Sequence, residues 1–412
     1  MSKNIKILHS SDWHLGRSLY GRKRYEEQEA FLRWLVGQLE EQCVDVLLVS
    51  GDIFDSGTPG NRAQELYYSF LYDVSRSPSC RHVVVIAGNH DSPSFLSASR
   101  TLLSALDIHV VGAAMEDAEE EVLVLRDPDG TPELVVCAVP YLRERDIRSV
   151  EVGESVADKE RNSQEGIRVH YATVVAAAER VRRQENELLP LVLMGHLFVT
   201  GGKTVEGDGV RDLYVGSLGH VSSDIFPSFA NYVALGHLHV PQRVKGGTEI
   251  RYSGSPIPMG FGEAGQEKSV SFVTIVNGCT KVELVPVPVF QRLERIKGDR
   301  DGIVRRIGEL RDSGEAVWLE VIHEGLEVVG DLREQLEEAV AGSLLEILRI
   351  SSGSTVDMVL GRSGEEESLT DLNPVEVFER CLVARDVPEE QRPSLLQCYN
   401  EILHTLQVEG KL

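Results

Sequence analysis

One repeated unit constrains this chain more than any other feature: a short, unbroken apolar run that ends in a polar loop bearing glycine, aspartate or histidine. Five such units occur. IKILHS leads into SDWHLG, VDVLLVS into GDIFD and HVVVIA into GNHD, and LVLMGH and YVALGHLH repeat the pattern later. The runs are rich in β-branched residues and show no polar alternation, which suits strands covered on both faces. Helical patterns at residues 25–42 and 62–75, with apolar positions three and four apart, separate the first three. Strand–helix–strand alternation predicts a layered α/β domain, and in such sheets ligands bind beyond the carboxyl ends of the strands.

The rest of the chain extends this plan. Segments 121–126 and 133–138 flank an Asp-Gly hairpin signal, Asn277-Gly278 gives another, and a long helical pattern covers 163–187. Two prolines in VPVPVF mark a boundary, after which strand and helix patterns alternate (helices near 301–313 and 331–342) before two amphipathic helices at 374–385 and 391–406. Three units are expected: 1–288, 289–365 and 366–412. With 412 residues, 42% hydrophobic and 26% charged, the chain has the balance of a globular protein. No apolar run approaches the ~18 residues that would span a bilayer. There is no charged-then-apolar leader, and the six cysteines show no C-x-x-C spacing. A cytoplasmic protein with reduced thiols is therefore expected. The net charge of −23, taken alone, argues against a polyanionic partner.

The strand-end loops carry oxygen and imidazole donors: Asp12 and His14, Asp52, Asn89 and His90, His196, then His237 and His239. With no thiolate among them, they suit divalent Mn, Fe, Zn, Ni or Co. Asp12-x-His14 and His237-x-His239 put alternate side chains on one side of an extended segment, so each pair can bind from one direction. The seven ligand candidates (these residues without His90) exceed one tetrahedral site but would fill two if Asp52 bridges. Each piece alone has an ordinary reading. G-D-x-x-D is mostly turn and capping chemistry, GNHD a turn, and G-H-x-H a pair of core histidines bonded to backbone. Their joint occurrence, each directly after an apolar strand, is what points to metal. Five of the twelve histidines lie in these loops; His9, inside the first strand, reads as packing.

D-x-H, G-D-x-x-D, G-N-H-D, G-H and G-H-x-H together resemble the motifs of calcineurin-like metallophosphoesterases. ILHSSDWHLG, GDIFDSG, VVVIAGNHDSP, VRDLYVGSL, ALGHLH and YSGSPIPMGF are similar to the bacterial SbcD family of nuclease subunits, from residue 5 to the C-terminal helices. The resemblance implies a four-layered α/β/β/α nuclease domain, a small α/β DNA-capping domain and C-terminal helices that grip the SbcC ATPase. It implies two divalent metal ions, usually Mn²⁺ with Mg²⁺ as the alternative. Asp12, His14, Asp52 and His239 would hold the first, and Asp52, Asn89, His196 and His237 the second. His90 would be the catalytic histidine, not a ligand, oriented by a neighbour such as Asp91. Asp55 stands where some relatives have a histidine, whose role cannot be carried over. The implied activity is exonuclease and endonuclease cleavage at double-strand DNA ends and hairpins, in replication, recombination and repair. The implied assembly is a homodimer within a nucleoid-associated heterotetramer.

DNA contacts are expected beside the first metal loop, where Arg17, Arg22, Lys23 and Arg24 cluster, with Tyr20 available to stack on a base and Arg62 following GDIFD. A solvated, mixed-charge loop is the competing reading. Phe378, Leu382, Leu395, Leu396, Tyr399 and Leu403 are the expected partner contacts. Helix 62–75 (Leu66, Tyr67, Phe70, Leu71) and helix 95–106 (Phe95, Leu102, Leu103, Leu106) are expected to divide between core packing and dimer contacts. A phosphomonoesterase or cyclic-nucleotide phosphodiesterase on the same fold stays open, as does a non-catalytic scaffold. The charge is less prohibitive than its total: residues 363–412 hold eleven acidic and four basic residues, and basic residues gather near the first loop.

Overall fold

The computed structural model describes residues 4–147, 155–203, 220–324 and 330–352, together with Leu382, Arg392, Leu395, Leu396 and Tyr399. The chain divides into two compact units, Met1–Arg292 and Leu293–Leu412. Apart from those five residues, the helical segment expected at 366–412 lies outside the described residues.

Besides a short ribbon at residues 18–23, the strands of the first unit in chain order are β1 (Ile5–Ser10), β2 (Val46–Ser50), β3 (His82–Ile86), β4 (Ile108–Val111), β5 (Val122–Arg126), β6 (Pro132–Ala138), β7 (Leu191–His196), β8 (Tyr232–Gly236), β9 (Gln242–Val244), β10 (Ile250–Tyr252), β11 (Ser269–Val276) and β12 (Cys279–Pro286). They form two six-stranded sheets, ordered β12-β11-β1-β2-β3-β4 and β9-β10-β8-β7-β6-β5. β1 to β4 are parallel, as are β6, β7, β8 and β10; β11 and β12 are antiparallel additions. The long helices are α1 (Tyr25–Glu41), α2 (Asn61–Ser75) and α3 (Val156–Glu185).

Alternation along each strand builds the layers. Ile5, Ile7, Val46, Leu48, Val84 and Ile86 face Val136, Ala138, Val192, Met194 and Ala234 of the other sheet. Leu8, Leu47, Val49, Val83 and Val85 face outward onto Phe31 and Leu35 of α1 and Tyr67 and Phe70 of α2. Val135, Cys137, Leu191, Leu193 and Val233 pack outward onto Tyr171, Val174 and Ala178 of α3. Both faces of the central strands are covered, so they read as continuous apolar runs, and the result is the expected α/β/β/α sandwich.

Two local expectations change. α3 starts at Val156, seven residues before the expected onset, with the Ser155 side chain accepting from the Asp158 amide. Its first turns are rich in polar residues, so hydrophobic periodicity is silent there. Segment 95–106 is two short helices, Pro93–Ser97 and Arg100–Ser104. Leu66, Tyr67, Phe70, Leu71 and Leu103 are buried in the core, which leaves Tyr72, Leu102 and Leu106 exposed.

The second unit has strands β13 (Arg292–Gly298), β14 (Val317–His323) and β15 (Leu345–Ser352) in one sheet with helices α4 (Arg300–Ser313) and α5 (Gly330–Val340). Ile303 and Ile307 of α4 and Leu336 of α5 pack with Val317, Leu319 and Val321. α4 is capped by Asp299, which accepts from Gly302, and ends at Gly314 in the left-handed region. Among the described residues no helix is long and apolar enough to cross a membrane.

Candidate metal centre and active site

The parallel strands of both sheets deliver their carboxyl ends to one rim. Ser50 Oγ donates to the Ala234 carbonyl at 3.1 Å, and His196 Nδ1 donates to the Ser50 carbonyl at 2.8 Å, so the ends of β2, β7 and β8 are tied across the two sheets. The first two loops are tied together by backbone: Asp12 N to Gly51 O, His14 N to Asp52 O and Leu15 N to Ile53 O, at 2.9–3.0 Å. This tethering holds strained conformations. Asp12 (φ 54°), His14 (φ 46°), Asp52 (φ 51°) and His237 (φ 103°) all have positive φ. Non-glycine residues adopt that region at a cost of order 1–3 kcal/mol each, and such residues cluster at functional sites. The glycines before the donors serve close approach. A Cβ on Gly88 would lie 2.2 Å from Asp52 Oδ1, and one on Gly236 would lie 1.9 Å from the Ser50 carbonyl oxygen.

All seven expected ligand residues meet at this rim. His14 Nε2 and His239 Nε2 are 3.3 Å apart, and Asp12, His14 and His239 form one group of converging donor atoms. Asp12, Asp52 and His196 form another. Asp52 lies between them, with Oδ2 at 3.6 Å from His14 Nε2 and 3.4 Å from His196 Nε2. Asn89 Oδ1 is 3.0 Å from both His196 Nε2 and His237 Nδ1. Asp12 also accepts from the His237 amide at 3.0 Å and from Ser11 Oγ at 2.5 Å.

The charges fit a cation. Burial works to raise the Asp52 carboxyl, but His196, His14 and His90 overcome it and hold the group well below the usual carboxylate range. Burial works to lower His196, while Asp52 and Asp12 push it up to about 9. A proton on His196 thus occupies the place of positive charge beside these carboxylates. Because Nδ1 donates to a carbonyl, the position facing Asp52 and Asn89 is Nε2, the atom a metal would take in exchange for that proton. Burial and neighbouring His196 lower His237 to about 3, so it is a neutral imidazole at pH 7 with a lone pair to offer. Buried carboxylates and imidazoles, with hard to borderline oxygen and nitrogen donors, suit divalent first-row metals.

His90 stands beside this set. Its amide donates to Asp52 Oδ1 at 2.9 Å, its Nδ1 donates to the Asp55 carbonyl at 2.9 Å, and its ring is edge-on to His14. The expected orienting role of Asp91 is therefore corrected. Asp91 is buried and accepts from the amides of Ile53, Phe54 and Gly88 at 2.9–3.1 Å, so it joins the second and third loops while the Asp55 carbonyl fixes the His90 ring. Burial and Asp52 push Asp91 up to about 6. An apolar cavity lined by Tyr141, Leu142, Leu197 and Phe198 adjoins His196 and His237.

The basic cluster divides. Residues 18–23 form a two-stranded ribbon, with Tyr20 (φ 47°) and Gly21 (φ 86°) at its turn. This is the chirality that two-residue hairpin turns require. Arg22 and Lys23 are exposed on it, and Tyr20 is half-exposed and stacked on Phe261. Arg24 is a correction: it is 1% exposed, forks onto Glu27 at 2.7 and 2.8 Å, and donates to the Pro258 carbonyl. It pins the start of α1 and is closed to DNA. Arg17 donates to Asp55 at 3.1 Å, and Arg62 is exposed but pairs with Glu29 and Glu65. Leu382 is buried, Leu395 exposed, and Leu396 and Tyr399 half-buried; Phe378 and Leu403 lie outside the described residues.

Glu263 escaped sequence reasoning. It is fully buried, with Oε1 3.6 Å from His239 Nδ1 and Oε2 2.5 Å from Lys268 Nζ, and Lys268 also donates to the His239 carbonyl at 3.1 Å. Burial raises its carboxyl, and His239 and Lys268 bring it below its ordinary value. The only signal was an acid and a lysine five residues apart after SPIPMGF, a pattern indistinguishable from a solvated loop.

The layered fold and this donor set define a metallophosphoesterase, and the calcineurin-like phosphoesterase family model matches residues 5–241. A second model, described as the type 5 capsule protein repressor C-terminal domain (SbcD_C), matches 289–385. Across 405 residues, 98% of this chain and 98% of the relative, the sequence is 35% identical to the SbcD subunit of nuclease SbcCD from Escherichia coli (strain K12). Proteins of the same name from Rhodobacter capsulatus and Bacillus subtilis (strain 168) are each 35% identical, over 69% of both chains for the first and over 65% of this chain and 66% of the relative for the second. The chain belongs to the SbcD family of calcineurin-like phosphoesterases, and it is a metal-dependent phosphodiester hydrolase.

Proposed function

We propose that this chain is the nuclease subunit of an SbcC-type ATPase complex and cleaves double-stranded DNA at ends and hairpins, as both exonuclease and endonuclease. The observation that carries the reading is the meeting of seven candidate donors, Asp52 among them, with His90 held beside Asp52 by its amide. Asp12, His14, Asp52 and His239 would hold one divalent ion and Asp52, Asn89, His196 and His237 the other, with Mn²⁺ the first candidate and Mg²⁺ the second. Such ions supply charge to the phosphate oxygens and activate water. The chain's own part is positioning and proton movement. With Nδ1–H held by the Asp55 carbonyl, His90 Nε2 is the atom that exchanges a proton with the leaving sugar oxygen, a contribution of ~10²–10⁴-fold. Arg22 and Lys23 meet phosphates, and Tyr20 offers a ring face to an unpaired base. Exposed Tyr72, Leu102 and Leu106 are the residues left for contact between two copies within a heterotetramer. The location is the cytoplasm, at the nucleoid.

The test is cleavage of end-labelled linear and hairpin duplexes in Mn²⁺ and Mg²⁺, with and without the partner. His90→Ala should keep metal content and lose cleavage by ~10²–10⁴-fold, whereas Asp52→Ala should lose both. Equal loss of metal in the two variants would refute the division of roles. Cleavage of a small aryl phosphate with none of DNA would establish a phosphomonoesterase instead. A chain ending at residue 365 should cleave but fail to co-purify with the ATPase.

A further inference from the structure

A second cluster of metal-ligating side chains lies at the opposite end of the same strands. β3 and β4 are parallel and in register, with Val84 opposite His109, and the Val83 amide donates to the Asp107 carbonyl at 3.1 Å. Side chains two residues apart on a strand share a face, so His82, two before Val84, projects from the same face as His109, and Asp107 sits just before β4 in the left-handed region (φ 56°). One potential donor atom from each lies within 4.8 Å of the others. The separation from Asn89 is seven residues along the chain, roughly 20 Å at strand spacing. Nothing in the phosphoesterase chemistry uses these residues.

The chemistry of His82 points to a ligand. The residue is 7% exposed, and its Nε2 lies 2.8 Å from the Arg126 carbonyl, at the end of the edge strand β5 in the other sheet. A carbonyl can only accept, so Nε2 carries the proton and Nδ1 keeps a lone pair. That Nδ1 is buried and has no hydrogen-bond partner. A buried polar atom left unpaired costs about 1–3 kcal/mol, which calls for a missing partner. The His109 ring lies 6.1 Å from that of His82, tilted by 31°. Arg100, whose charge acts on His109, pairs with Glu120 at 3.9 Å.

We propose that His82, Asp107 and His109 bind a divalent transition-metal ion, with zinc the best match, separate from the catalytic pair. Two imidazoles and one carboxylate form a borderline nitrogen–oxygen set, which favours Zn²⁺, Co²⁺ or Ni²⁺ over Mn²⁺ and Mg²⁺. Tetrahedral zinc needs donor atoms ~3.3 Å apart, given zinc–nitrogen bonds of ~2.0–2.1 Å. Donor atoms already within 4.8 Å of one another would draw together by side-chain rotation, for which the exposed Asp107 has most room. The ion fastens β4, the edge strand of its sheet, to β3, and it satisfies the stranded His82 nitrogen.

The full-length chain, stripped with chelator, is titrated with Zn²⁺ and its bound metal counted after dialysis. His109→Ala should bind one equivalent fewer than the parent. The same difference should appear when both carry Asp52→Ala, which impairs only the catalytic ions. Zinc should also raise the melting temperature of the parent more than that of His109→Ala, while the two metal-free proteins melt alike. Should His109→Ala fail to fold, Asp107→Asn at the exposed ligand decides, with an expected tenfold or greater loss of affinity at this site. Equal zinc stoichiometry and affinity in parent and variants would overturn the proposal.

Discussion

Asp52 and His239 show how single residues here depend on partners that are distant in sequence. Asp52 stays ionised in a buried site because three imidazoles surround it, and Gly88 leaves room for its carboxylate. Gly88→Ala puts a methyl group 2.2 Å from that oxygen and 2.3 Å from the Asp52 backbone nitrogen, so we expect loss of metal and cleavage together with a fall in stability, measured by elemental analysis beside thermal melts. His239 is backed by Glu263, whose charge Lys268 balances. Carboxylates behind ligating histidines typically contribute 10–100-fold in metal affinity, and removing one member of a buried pair costs about 3–5 kcal/mol. Glu263→Gln should weaken metal binding by roughly 10–100-fold and lower stability. Glu263→Gln with Lys268→Met should recover stability but not affinity, as read by denaturant melts and metal competition.

At the scale of elements, the ribbon at residues 18–23 and the start of α1 share a basic sequence but differ in role. Arg24 joins Glu27 to the Pro258 carbonyl inside the fold, whereas Arg22 and Lys23 project outward. Arg24→Ala should destabilise the chain by about 3 kcal/mol or more and leave the salt dependence of DNA binding unchanged. Arg22→Ala and Lys23→Ala should each lower the slope of log affinity against log salt by about 1, with little effect on stability. A salt titration of binding beside a melting curve separates the two cases. The sequence could not make this distinction, because GRKRY carries no sign of which arginine turns inward. The start of α3 is hidden for a related reason: its cap at Ser155 lies beyond the reach of apolar periodicity, since the first turns are mostly polar.

For the whole molecule, the interface between the two sheets contributes to acid sensitivity. His9 sits in β1 at 0% exposure with Nδ1 2.9 Å from the Tyr232 hydroxyl of the opposite sheet, and burial lowers it to about 3. The unfolded chain takes up a proton near pH 6.5 that the folded chain refuses until about 3, so stability falls as pH drops through this window. Between pH 6.5 and 5 the effect of this residue is roughly 2 kcal/mol. His9→Asn should flatten that part of the stability–pH curve in chelated protein. An unchanged slope would place the acid sensitivity elsewhere.

The strand–helix alternation, the covered faces of the central strands and the strand-end positions of the seven candidate donors were all readable from sequence, because apolar runs and strand-end motifs are local patterns. The local pattern also marked His90, whose motif is contiguous with Asn89. Only the tertiary structure decided how the donors meet, since β1 to β3 and β7 to β8 belong to different sheets and reach one rim through contacts such as His196 with Ser50. It also decided that Asp91 braces loops, that Arg24 is internal, and that Glu263 stands behind His239. Burial and partner identity are properties of residues brought together from distant parts of the chain, and no local pattern encodes them.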